Sequence, residues 1–321
     1  MNLNVKDILK CTNGKLIIGD NLAICKNYSI DSRTIKEGDT YVAIKGDSTD
    51  GNVFIENAFE NGASVVIVSN TILSEEKLEK YEKMGKSIIQ VEDTIIALGK
   101  MAGYKRNLYG NKLKVIGVTG SVGKTSTKDI IASVISQKYK TLKTEGNFNN
   151  SIGLPLTLLR LEDEEVAVVE MGMNHFEEIS YLSKIARPDL AVITNIGTSH
   201  IGNLGSRENI LKAKLEILDG MENKVLVINN DNDLLHKWNI ETNKDVKTYT
   251  FGINNKSDFY AENVVVNENS SSFVACNEDN RFEVEVPVSG EHFILNSLCA
   301  FTVGSLLKLS NEEIKMRYKK F

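Results

Sequence analysis

The run Gly117-Val-Thr-Gly120-Ser-Val-Gly123-Lys124-Thr125-Ser126 gathers three glycines, a lysine and several hydroxyls in one short stretch. These are the ingredients of a phosphate grip. Glycines let backbone N–H groups turn toward phosphate oxygens, and a helix N-terminus behind them adds positive potential. Lys124 would reach the β- and γ-phosphates, and the Thr125 hydroxyl would join a Mg²⁺ shell. The common Gly-x-x-x-x-Gly-Lys-Ser/Thr spacing is not met, because Val118 stands where its first glycine belongs. Gly117 and Gly120 supply flexibility from shifted positions. The bland alternative is a glycine-rich turn with a chance Lys-Thr, and the strand and helix patterns on either side argue against it.

Other residues of chemical interest follow the loop. Glu170 ends Val-Ala-Val-Val, Asn195 ends Ala-Val-Ile-Thr and leads to His200, and Asn147-Phe-Asn149-Asn150 follows a short strand pattern. A carboxylate and an imidazole at neighbouring strand ends can share a divalent cation. As a helix cap and a packed surface histidine the same two residues would do no chemistry, and position alone does not choose. Lys214 taken alone is an ordinary helix lysine. Asn255-Lys256-Ser257-Asp258 matches a guanine-reading pattern, but no Asp-x-x-Gly follows the phosphate loop. It reads as a surface turn.

These residues need a scaffold. An apolar strand at 115–118 and a helical pattern at 125–138 bracket the loop. Strand patterns at 166–169, 190–193 and 225–228 alternate with helical ones at 177–185 and 208–218. Such alternation implies right-handed crossovers and a mostly parallel sheet, and continuous apolar strands fit burial on both faces. Ligands gather at the carboxyl ends of such strands, where Glu170 and Asn195 fall. Short strands at 263–267, 271–276 and 282–287 then suggest an antiparallel patch, followed by an apolar helix at 292–307. Ahead of the loop, strands at 40–44, 63–68 and 88–91 mix with helices at 54–61 and 74–86, and a helix at 94–108 leads into the next core. The expected fold class is α/β. A small mixed α/β N-terminal domain spans 1–92, a phosphate-loop central domain with a mostly parallel sheet and a small antiparallel patch spans 93–310, and 311–321 is a stub.

Composition excludes several classes. The chain has 321 residues, 41% hydrophobic and 25% charged, with a net charge of −5. That length suggests roughly two or three domains with real cores, not disorder. Mild acidity argues against broad nucleic-acid binding. No stretch approaches the roughly 18 apolar residues of a spanning helix, and the first residues lack a signal-peptide pattern. The four cysteines include no Cys-x-x-Cys pair, so they read as reduced, packed thiols. The expectation is a cytoplasmic monomer with no nucleic-acid partner and no membrane insertion.

Together these residues resemble the Mur ligase family over nearly the whole length. In the first part the resemblance rests on Asp31-Ser32-Arg33, Gly38-Asp39, Asp50-Gly51 and the segment 54–63. Later it rests on the phosphate loop, Gly146-Asn147-Phe-Asn149-Asn150-Ser-Ile-Gly153-Leu-Pro155, Glu170-Met-Gly-Met, Thr194-Asn195-Ile-Gly-Thr-Ser-His200, Gly205-Ser206-x-Glu208 and Ala213-Lys214-x-Glu216. The Asn-x-Asn-Asn and Ile-Thr-Asn-Ile-Gly segments favour the branch that joins D-alanyl-D-alanine to UDP-MurNAc-tripeptide.

The resemblance implies an ATP-dependent amide ligase of peptidoglycan precursor synthesis working through an acyl phosphate. It implies ATP contacts at Gly117, Thr119, Gly120, Ser121, Gly123, Lys124, Thr125, Ser126, Asn147 and Asn296. It implies two Mg²⁺ sites, with Thr125 at the first and Glu170 and His200 at the second. Lys124, His200 and Lys214 would be catalytic, Lys214 as a carbamate, which requires local deprotonation of an amine with an ordinary pKa of about 10.4. Ser32, Arg33, Asn149 and Asn150 would contact the UDP-linked substrate. Departures are visible: Asn52 stands where the family has histidine, Phe293 where it has asparagine, and Glu177 where it has glycine. The family also has a third, Rossmann-like domain with no counterpart in these residues, so 311–321 reads as the approach to it and the chain alone as catalytically incomplete.

Overall fold

The computed structural model describes residues 1–46, 49–241 and 245–318. They form two compact units, Met1–Gly110 with Ser151–Asp163, and Asn111–Asn150 with Glu164–Phe321.

The first unit is built on a five-stranded sheet ordered Lys15–Ile18, Ser87–Gln90, Val65–Val68, Thr40–Val42, Tyr28–Ser29. Only the pair Lys15–Ile18 and Ser87–Gln90 is antiparallel. Val65–Val68 is apolar throughout and buried on both faces. On one side, Phe59 of helix Ile55–Glu60 meets Tyr81 of helix Glu75–Lys83, ring centroids 4.6 Å apart. Asn52 is 3% exposed, and its amide is engaged at both ends. Its Oδ1 accepts N–H groups of Ser69 and Asn70, while its Nδ2 donates to Asp50 Oδ1 and Ser69 Oγ. The departure from histidine has thus become a structural clasp.

The helix Thr94–Tyr109 corrects the expected boundary at 92/93, because it packs with the first unit. Asp93 caps it, Thr94 Oγ1 donates to Ala43 O at 2.8 Å, and Lys105 Nζ donates to Leu159 O at 2.6 Å. Leu159 ends helix Gly153–Leu159, so residues 151–163 also belong here.

The second unit carries a nine-stranded sheet. Its order is Arg281–Val286, Ser271–Cys276, Phe259–Val266, Lys247–Gly252, Val225–Asn229, Leu190–Ile193, Lys114–Thr119, Val166–Glu170, Thr141–Lys143. The strands from Phe259–Val266 to Thr141–Lys143 are parallel, and Phe259–Val266, Ser271–Cys276 and Arg281–Val286 form the antiparallel patch. Helix Glu291–Leu306 covers the inner face, with Phe301 edge-on to both Phe259 and Phe282 at 5.0 Å. The segment expected as a stub holds a helix, Asn311–Tyr318, anchored by Ile314 at 0% exposure and by Asn311 Nδ2 bonded to Asn280. Residues 319–321 lie outside the described set. The cysteines are unpaired. Among the described residues, no helix is long and apolar enough to cross a membrane.

Candidate phosphate site

In the second unit, Lys114–Thr119 lies between Leu190–Ile193 and Val166–Glu170. The chain leaves this strand for the far edge, returns to one side of it, then crosses to the other. Its carboxyl end is therefore a topological switch point, where open parallel sheets bind ligands. The phosphate loop sits there. Gly123, at φ +78°, turns the chain into helix Lys124–Ile135 without any side-chain cap. The first-turn amides of Lys124, Thr125 and Ser126 thus face an end with no internal acceptors, and Gly123, Thr125 and Ser126 are exposed. Lys124 arches back over the loop, its Nζ 2.9 Å from Gly120 O. Burial lowers its pKa, and the opposing pull of Glu170 raises it.

Glu170 is 1% exposed and placed by three bonds. Its N–H donates to Thr144 Oγ1 at 3.0 Å, its Oε2 accepts the Thr125 hydroxyl at 2.9 Å, and its Oε1 accepts Asn149 Nδ2 at 2.7 Å. Lys214, in the last turn of helix Arg207–Leu215, is 2% exposed, and its Nζ makes no hydrogen bond or ion pair among the described residues. Burial, then the cation of Lys124, pushes its pKa down to about 7. His200 sits at φ +66° before a short helix. Its pKa is lowered by partial burial and by the fields of Lys214 and Lys124, against a smaller opposite pull from Glu178. No bond joins His200 to Glu170. It belongs to the cluster through that shared field.

Glu216 was not anticipated as a placing group. Its Oε1 accepts the Glu177 N–H at 2.9 Å and its Oε2 that of Ser180 at 3.3 Å, so it caps helix Glu178–Ala186 from outside. Burial raises its pKa, partly offset by those two N–H groups. The turn after Lys214 is thereby tied to the segment following Glu170. Its sequence signal was the spacing Ala213-Lys214-x-Glu216.

The other expected contact residues are placed as follows. Thr119 is fully buried and donates to Met171 O. A Cβ on Gly117 would lie 3.1 Å from Ile217, so both residues take part in packing the strand. Ser121 is also buried, its Oγ accepting the Gly197 N–H. Asn296 holds Thr127 Oγ1 at 2.9 Å, inside the phosphate-loop helix, so its Oδ1 is engaged in packing that helix. Asn149, expected on the substrate, donates from Nδ2 to Glu170 Oε1. Asn147 and Asn150 are exposed. In the first unit, Ser32 is buried with its carbonyl accepting Asn61 Nδ2, and exposed Arg33 forms a two-pronged pair with Asp31. That guanidinium holds the Asp31 carboxyl down at about 2.

The Asn255–Asp258 turn is occupied with itself. Asn255 Nδ2 donates to Asn230 O, and Asp258 Oδ2 accepts both the N–H and hydroxyl of Thr250. This supports the reading as a structural turn.

The donor set can be tested against candidate ions. Among the described residues no three His, Cys, Asp or Glu side chains group as a metal nest. One carboxylate beside one hydroxyl suits Mg²⁺, which keeps waters and takes phosphate oxygens; it does not suit Zn²⁺ or Ca²⁺. A buried amine with no partner suits conversion to an anion.

A phosphate loop at a switch point, backed by a glutamate and a buried lysine, defines a class of nucleotide-dependent proteins, and comparison identifies it. The Mur ligase middle domain matches residues 118–304 and the Mur ligase family catalytic domain matches residues 25–106; the chain belongs to the Mur ligase family. It is 37% identical over 312 residues to the UDP-N-acetylmuramoyl-tripeptide–D-alanyl-D-alanine ligase of Bacillus subtilis, covering 96% of this chain. The chain spans 65% of that relative's length. The crystal structure of MurF from Acinetobacter baumannii superposes with a TM-score of 0.88 at 32% identity, covering 100% of this chain and 68% of that one. MurF ligase from Thermotoga maritima, solved in complex with ADP, gives 0.77 at 30% identity, covering 90% and 65%.

Proposed function

We propose that this chain carries the nucleotide- and UDP-precursor-binding parts of an ATP-dependent amide ligase of peptidoglycan synthesis, joining D-alanyl-D-alanine to UDP-MurNAc-tripeptide in the cytoplasm. The observation that carries the reading is the set Lys124, Thr125, Asn149 and Glu170, with buried Lys214 in the field of Lys124. The free carboxylate of the peptide attacks the γ-phosphorus of ATP, forming an acyl phosphate and releasing ADP. The amine of the dipeptide then attacks the acyl carbon, and inorganic phosphate leaves as the amide forms.

Each residue has a part in keeping with its chemistry. The first-turn amides of Lys124, Thr125 and Ser126 bind phosphate oxygens, and Lys124 swings from Gly120 O to neutralise the transferring phosphoryl group. Thr125 would hold one Mg²⁺, and Glu170 with His200 a second. Bound Mg²⁺ would offset repulsion between the attacking carboxylate and the triphosphate. Asn149 orients Glu170 through its 2.7 Å bond. Lys214, neutral above pH 7, adds CO₂ with loss of a proton, turning from an amine into an anionic carbamate that faces Lys124. Ser32, Arg33 and Asn150 take the UDP-linked substrate, an Arg fork suiting diphosphate or carboxylate.

The test is to mix the chain with ATP, Mg²⁺, UDP-MurNAc-tripeptide and D-alanyl-D-alanine and to follow phosphate. Release that needs both substrates supports the reading. ADP binding without release reduces the chain to a nucleotide- or precursor-binding module. Turnover only with UDP-MurNAc-dipeptide and a diamino acid moves it to the third-residue branch of the family.

A further inference from the structure

The loop from Thr194 to His200 is bonded closely to the tip of the phosphate loop. Asn195 Oδ1 accepts two successive N–H groups, from Ser121 at 3.1 Å and Val122 at 3.0 Å. Its Nδ2 donates to Val122 O at 3.1 Å, and its backbone carbonyl also accepts the Ser121 N–H. Thr194 Oγ1 donates to Val122 O at 2.9 Å, and the Gly197 N–H donates to Ser121 Oγ at 2.9 Å. The approach is so close that a Cβ on Gly120 would lie 1.9 Å from Thr194 Oγ1.

This arrangement divides the amides of the phosphate loop. Those of Ser121 and Val122 are engaged by one side-chain oxygen. Those of Lys124, Thr125 and Ser126 form the uncapped first turn of a helix. Glycine-rich loops have many shapes of similar energy, so a fixed outside acceptor selects one of them. A neutral amide suits the task because it accepts at one atom and donates at the other, and it brings no charge to a place meant for anions. Aspartate would lose the bond to Val122 O, and serine is too short to span both amides.

We propose that Asn195 is a positioning residue for nucleotide diphosphates: it holds the tip of the phosphate loop in its ligand-accepting shape and leaves the first-turn amides of the following helix to the β-phosphate. The same five-residue step carries the chain on to His200, so one loop sets both the phosphate grip and the imidazole. The inference rests on the nucleotide reading above and deepens it.

The test compares ADP with AMP in calorimetric titrations of the full chain with Mg²⁺. A general structural defect weakens both nucleotides alike, whereas a misplaced phosphate loop weakens the one with a β-phosphate. In Asn195→Ala the preference for ADP over AMP should fall at least about tenfold, and hydrogen exchange at the Val122 amide, which loses its acceptor, should speed up. Thr194→Val keeps side-chain volume and removes one bond to Val122 O, so it should fold and show a smaller drop in the same ratio. A preference unchanged in both variants, while the unaltered chain binds ADP, overturns this inference alone. Failure of the unaltered chain to bind ADP overturns the nucleotide reading and this inference with it.

Discussion

The Thr125 hydroxyl donates to Glu170 Oε2 across 2.9 Å, joining the first turn of the phosphate-loop helix to the end of the neighbouring strand. The strand end is held in turn by Thr144 and Asn149. The bond sets both side chains in place for the two Mg²⁺ ions proposed above, one on Thr125 and one on Glu170. Thr125→Val should lower Mg²⁺-dependent ADP affinity by about tenfold or more with little loss of stability, since Thr125 is exposed. Titrating ADP at fixed Mg²⁺ checks this. Unchanged affinity removes Thr125 from the metal set.

Lys214 should make stability rise with pH. Its pKa is about 7 folded against an ordinary 10.5. Between those values the unfolded chain binds a proton that the folded chain has released, so unfolding becomes less favourable as pH climbs. Lys214→Met should raise the thermal midpoint most at pH 7 and below, with the gain fading toward pH 10.5. In ¹³C-bicarbonate the unaltered chain should show a carbamate carbon signal that the variant lacks. A midpoint gain that does not vary with pH would contradict the assignment.

Asn52→Ala should destabilise the first unit by about 1–3 kcal/mol, because it orphans the N–H groups of Ser69 and Asn70 in a buried place. Denaturant unfolding followed by a probe in that unit measures it. An undiminished midpoint would show that water replaces the clasp at no cost.

Asp258→Ala should cost about 1–2 kcal/mol through the loss of two bonds to Thr250 and leave nucleotide choice unchanged. Competition between ADP and GDP tests the second half. A selective change in GDP affinity would reinstate the guanine reading.

The phosphate loop was legible because its parts are contiguous and its flanking strand and helix have clear periods. Glu170 could be found at a strand end and His200 in the loop that follows the next one, since topology puts those ends on one edge. The individual duties were harder to read. Whether Thr119 or Ser121 faces ligand or core depends on strands that pair with theirs from far along the chain. Asn149 and Glu216 act by bonds to residues 21 and 39 positions away, distances at which local pattern says nothing. Helix Thr94–Tyr109 was visible, but its partners Ala43 and Leu159 were not, and the boundary moved with them. Strand Lys247–Gly252 escaped notice because Lys-Thr-Tyr-Thr looks polar while its buried end, Thr250 to Gly252, is short.

The excursion of residues 151–163 bears on how the protein comes to be made. Its helix completes the packing around Thr94–Tyr109, yet the ribosome supplies it only after the phosphate loop and the edge strand Thr141–Lys143 have emerged. The first unit therefore cannot finish folding as soon as its opening stretch is synthesised. Lys105, whose ammonium bonds Leu159 O, must wait for that partner while some forty residues of the other unit, Asn111–Asn150, pass by. During that interval the nascent chain depends on the speed of translation and on whatever shields apolar surface at the exit tunnel.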